Sequence, residues 1–98
     1  MKAETCYWND EDCFLCFFGD VHKEENLTIA REAEYHQVED KVVVVDVFWD
    51  DDEDMTECHS INPDTLKYYE EECTVQPSLT RKEYEKIVEY VKQKANEN

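Results

Sequence analysis

Glycine is almost missing from this chain: Gly19 is the single one in 98 residues, and only Pro63 and Pro77 accompany it as turn formers. A glycine loop that cradles phosphate, or a glycine-flanked nucleophile elbow, is therefore excluded, because both need backbone that a Cβ would block. Turns fall instead to Asn and Asp, which tolerate the same local conformations. No apolar run approaches the ~20 residues that cross a bilayer as a helix. The N-terminal "MKAETCYWNDED" lacks the apolar region of a secretory signal, so a cytoplasmic location is expected.

Bases are also scarce, 10 against 26 acids, for a formal charge of −16. Such a chain is repelled by nucleic-acid backbone and by anionic lipid and attracted to basic surfaces and cations, so neither nucleic acid nor membrane is expected as a direct partner. Residues 81–98 hold five bases against four acids, a balance of +1, so −17 resides in residues 1–80. Hydrophobic residues at 41% and aromatics at 12% are enough for a packed interior, and 98 residues make one domain over 1–98 with a modest core.

The strongest strand signal is "KVVVVDVFW" at 41–49, with Val43, Val45, Val47 and Trp49 on one face and Val42, Val44, Asp46 and Phe48 on the other. Upstream, Leu27, Ile29, Ala33 and Tyr35 share a face that Arg31 interrupts, opposite Thr28, Glu32, Glu34 and His36. That pattern reads as a second strand joined to the first by a tight turn near Glu39 and Asp40. In "ETCYWNDEDCFLCFFGD", strands 3–8 and 13–18 around a polar turn are preferred over a short helix that Gly19 would stop. "MTECHSI" at 55–61 returns as a further strand. Asn62 and Pro63 then open a short helix of about two turns near 63–72. In the C-terminal segment, Thr80 and Glu83 match a capping box and Leu79 and Tyr84 a hydrophobic staple. Tyr84, Ile87, Val88 and Val91 form one apolar stripe. The fold class expected is α+β: an antiparallel sheet of four to five strands, with the C-terminal amphipathic helix and the short helix on one face.

Five cysteines are an odd number that cannot all pair within one chain, and in a reducing compartment they are expected as free thiols packed like small hydrophobes. Cys13 and Cys16 form the one C-x-x-C, and Cys58-His59 are adjacent. Neither arrangement supplies the paired ligands of a structural zinc site. Asp10, Glu11 and Asp12 should raise the nearby thiol pKa values, the opposite of what redox chemistry needs. Cys58 or Ser60 beside His59 offers nucleophile and base types without a catalytic context. No catalytic residue, metal ligand or cofactor is assigned, and an enzyme is not expected.

"FWDDDEDMTE" at 48–57 places Phe48 and Trp49 against five consecutive carboxylates, Asp50, Asp51, Asp52, Glu53 and Asp54. An EF-hand loop is excluded, since Met55 occupies the glycine position and Ile61 the bidentate Glu position. Adjacent carboxylates ~5 Å apart repel by about 0.8 kcal/mol in water, so the run belongs on the surface. A solvated tip that blocks edge-to-edge pairing is one explanation. The sharper one is a docking surface in which Glu32 and Glu34, at roughly 6.8 Å spacing, extend the field of residues 50–54 and Trp49 supplies a desolvated anchor. The partner expected is a basic protein, including one whose groove normally holds nucleic acid. The alternatives are a small calcium- or zinc-binding domain, or a domain whose charge serves only solubility.

Overall fold

In the computed structural model, described over residues 5–24, 27–50, 55–74 and 79–97, the chain forms one antiparallel sheet and two helices. The strands are β1 (Thr5–Trp8), β2 (Cys13–Glu24), β3 (Leu27–His36), β4 (Lys41–Asp50) and β5 (Met55–Ile61), ordered as in the chain. Helices α1 (Pro63–Glu72) and α2 (Arg81–Glu97) follow. This is the α+β architecture that the patterning predicts, with five strands.

The turns are built from acids and amides, as a chain nearly without glycine requires. Between β1 and β2, the Asp10 carboxylate accepts from the backbone N–H groups of Asp12 and Cys13, both at 2.8 Å. Between β3 and β4, Asp40 takes a left-handed φ of 51°. An aspartate tolerates that region because its short side chain can bond locally, here accepting from the Tyr35 hydroxyl at 3.0 Å. The two turns are tied where Gln37 N–H donates to the Asp12 carbonyl at 2.8 Å.

Gly19 neither stops a helix nor ends a strand. Its φ is 65°, and it lies within a register shift between Phe17 and Asp20 that lets β2 run on to Glu24, beyond the expected end at 18. A glycine at positive φ is one way to admit an extra residue into an antiparallel ladder. Helix α1 covers the expected range, Pro63–Glu72, ten residues or nearly three turns. Its cap is reciprocal: Asn62 Oδ1 accepts from Asp64 and Thr65 N–H while Thr65 Oγ1 accepts from Asn62 N–H at 2.8 Å. Before α2, Glu83 N–H donates to Thr80 Oγ1 at 3.2 Å, and Leu79 and Tyr84 are both buried.

Both helices pack on the same face of the sheet. Val42, Val44 and Ile61 meet Phe14, Cys16 and Phe18 beneath Leu66, Leu79, Tyr84, Ile87, Val91 and Ala95, forming one continuous core. The Tyr84 hydroxyl donates to the Val42 carbonyl at 2.6 Å and pins α2 to β4.

Two features correct the reading of the residues. Arg31, an apparent interruption of an apolar face, stands directly opposite Asp46 and forms a buried two-pronged pair, with Nε–Oδ1 at 2.6 Å and Nη2–Oδ2 at 3.0 Å. Cys6 and Cys16, expected as free thiols, are joined by a disulfide, while Cys13, Cys58 and Cys73 are free. The register sets Cys6 directly against Cys16 with Cα atoms 4.1 Å apart, a relation that sequence separation conceals.

Replacing Asp46 by leucine takes the carboxylate from a buried guanidinium and is expected to lower unfolding stability by about 3–5 kcal/mol, whereas Arg31→Met combined with Asp46→Leu restores most of the loss. Urea titrations of the two variants measure the difference.

Candidate functional site: the uncovered sheet face

Strand alternation sends half of the sheet's side chains away from the helices. Among the described residues, no element crosses that second face. Its rows follow from the registers. One row runs Tyr7, Leu15, Glu34, Val43; the next runs Phe17, Glu32, Val45, Ser60; a third contains Ala30, Val47 and Cys58. Two carboxylates on the middle strand are thus bracketed by apolar neighbours on both sides. Tyr7 is 43% exposed and stacks on Phe17 with centroids 5.8 Å apart. Leu15 and Cys13 are buried on this same face, while Val43, Val45 and Val47 are half-covered.

Glu32 and Glu34 lie on this face, as the alternation predicts, and are half-buried. Same-face spacing places them roughly 6.8 Å apart. Trp49 shares the face and is 39% exposed, but it is four residues along β4 from the partner of Glu32, roughly 13 Å away. Asp50 is the last residue of β4. Asp51, Asp52, Glu53 and Asp54 lie outside the described residues. The structure therefore brings Glu32 and Glu34 together and sets Trp49 at the far edge of their surface.

The described acids are not confined to this face. Asp10, Glu11, Asp12, Glu39 and Asp40 are exposed on turns, Asp64, Glu70, Glu71 and Glu72 on α1, and Glu83, Glu85, Glu89 and Glu97 on α2. Several of these acids have cations: Arg81 binds Glu70 at 2.7 Å, Lys92 binds Asp40 at 2.8 Å and Lys94 binds Glu97 at 3.3 Å. No base stands in the rows of Glu32 and Glu34. Lys41, paired with His36, is on the neighbouring row at the turn end.

The two settings shift carboxyl groups in opposite directions. Hydrogen bonds from Lys92 and then Tyr35 hold Asp40 below the ordinary carboxylate range. Burial, and secondarily the charge of Glu34, raises Glu32 above it. Asp40 thus stabilises the fold at neutral pH, an effect lost as pH falls through its lowered value. Glu32 behaves inversely: its contribution is full below the ordinary value of 4.5 and is lost as pH rises through the raised one.

The remaining candidates are separated by the same alternation. Cys13 faces the open side and Cys16 the core, so the C-x-x-C cannot converge on one ion. Burial first, then Glu34, Asp10 and Glu32, raises the Cys13 thiol pKa, which leaves it a poor nucleophile. Cys58 and Ser60 flank His59 on one strand and so face away from its ring, which packs against Phe48 with centroids 5.0 Å apart. Among the described residues, no group of three or more His, Cys, Asp or Glu is arranged to hold a metal ion.

The apolar platform that Tyr7, Phe17, Val43 and Val45 make around the glutamates is the part that reading the residues missed. Its signal was present in the second-face valines of β4, for which two helices on one side provide no cover. No protein-family model, curated protein or solved structure matches the chain.

Two unit charges roughly 6.8 Å apart repel by about 0.6 kcal/mol in water and more beside apolar groups. Glu32→Gln is accordingly expected to raise unfolding stability by about 0.5–1 kcal/mol near neutral pH, with the gain fading in acid where Glu32 is protonated anyway. Thermal unfolding of both proteins across pH checks the sign.

Proposed function

We propose that the protein is a non-enzymatic interaction module whose uncovered, acidic sheet face binds a basic protein surface, including one that otherwise holds nucleic acid. The observation that carries this reading is Glu32 and Glu34 side by side on the middle strand, among apolar side chains, with no cation in either row. A face built in this way destabilises the isolated domain, and surfaces tuned for binding commonly do so. Strand β4 carries Val43 and Val45 of that face and ends at Asp50, where the acidic run begins in the sequence.

Association would release counterions from a densely charged surface, as when a basic groove binds phosphate backbone. Partners that use such grooves for nucleic acid would then be blocked by competition. Among the described residues, no helix is long and apolar enough to cross a membrane. A cytoplasmic location fits a partner that handles nucleic acid, and there the Cys6–Cys16 link is exposed to a reducing thiol pool.

Capture of basic proteins on the immobilised domain should weaken steeply between low and moderate salt. Changing residues 50–54 together with Glu32 and Glu34 to Asn or Gln should reduce it roughly tenfold or more. Unchanged capture by that variant at low salt would refute the reading. Alkylation in denaturant of protein taken directly from its source, followed by mass measurement, tests the location: five modified cysteines indicate a reducing compartment and three an oxidising one.

A further inference from the structure

We infer that the uncovered face is the docking site for an amphipathic helix of the partner, which lays an arginine across Glu32 and Glu34 while its apolar side chains cover Val43, Val45 and Phe17. This rests on the reading that the face binds a basic protein, and it specifies the chemistry of the contact.

The face mixes charge with apolar side chains row by row. In the row Phe17–Glu32–Val45 and the row Leu15–Glu34–Val43, each carboxylate has an apolar side chain opposite it on both neighbouring strands. Directly opposed residues are about 4.5–5.5 Å apart, so any group that reaches the carboxylates also touches the flanking side chains. Phe17, Val43 and Val45 are partly exposed beside the carboxylates, and Tyr7 at the edge is 43% exposed.

Charge decides between occupants. A second copy of the chain would bring Glu32 and Glu34 against themselves, with −16 on each molecule. Nucleic acid and anionic lipid are repelled for the same reason. A purely cationic, fully hydrated partner would satisfy the carboxylates but leave the valines and Phe17 wet. The complementary surface therefore carries apolar groups around a cation. Arginine suits that position better than lysine: its planar guanidinium is weakly hydrated, packs on apolar and aromatic groups, and directs donors to two acceptors at once.

Size sets the form of the segment. Five strands about 4.8 Å apart make a face roughly 20 Å across, which about 13 residues of α-helix span. The fold already shows that a helix fits this sheet, since α2 lies on the opposite face with one apolar stripe of Tyr84, Ile87 and Val91.

The test uses the full chain, isotopically labelled, and a synthetic helical peptide of about 13 residues with leucines and one central arginine on its apolar face. Amide shift changes should centre on Phe17, Glu32, Glu34, Val43 and Val45. Binding should fall about tenfold in the Glu32→Gln, Glu34→Gln variant, which is expected to fold at least as stably as the parent. A version with glutamine in place of the arginine should bind about tenfold more weakly. Shift changes confined to the helices or to the end of β4, equal binding by the doubly substituted protein, or self-association through this face at working concentration would overturn the proposal. If the peptide maps to the face while neutralising residues 50–54 has no effect on capture, the docking site stands and the role of the acidic run fails. If an oligoarginine of the same length binds as tightly as the amphipathic peptide, the contact is charge alone: the broader reading survives and this proposal falls.

Discussion

The pairing of β3 with β4 is the constraint on which the rest of the molecule depends. Its register runs unbroken from Leu27↔Asp50 to His36↔Lys41 and is closed by the turn of residues 37–40. A slip of β3 by one residue along β4 would exchange the two faces of β3. Arg31 would then point away from the core and lose its contact with Asp46, and Glu32 and Glu34 would be driven beneath the helices. Because an unpaired buried charge is far more costly than a paired one, the Arg31–Asp46 contact serves as a register lock. The hydroxyl of Tyr84 on the Val42 carbonyl fixes α2 to the strand whose phase is set in this way.

From that register follows the division of labour between the two faces. One is closed by helices whose acids are interleaved with lysines and arginines, and several of those acids are paired. The other keeps two glutamates among valines and aromatics without a base in either row. Total charge therefore says less about recognition than local company does. The same carboxyl chemistry stabilises the fold at Asp40, where Lys92 and Tyr35 donate to it, and opposes the fold at Glu32, where burial and Glu34 act against it. A partner cation would convert the second situation into the first.

Much of the fold was legible in the residues because alternation and helical periodicity are local properties. Val42 to Trp49, the facing pattern of residues 27–36, the Asn62 and Thr80 caps and the Tyr84–Ile87–Val91 stripe all read directly. Gly19 did not, since a positive φ serves a helix stop and a strand bulge equally well. Nor did the partnerships: Arg31 looked like an interruption until Asp46 stood opposite it, and Cys6 was unrelated to Cys16 until the first hairpin set them side by side. Of the candidate site, the pairing of Glu32 with Glu34 on one strand face, and of Trp49 with Val43 and Val45 on another, was legible, whereas their union in one platform with Tyr7 and Phe17 depends on which strands are adjacent and in what register.

By itself, then, the order of residues determined the period of each element, its caps and the side of a strand on which each side chain lies, because these are set by backbone geometry over a few positions. Only the tertiary structure decided which strands are neighbours and which face the helices cover. Those outcomes come from burying Phe14, Phe18, Val42, Val44 and Ile61 beneath α2 and α1, which puts the two glutamates on the opposite face of the sheet.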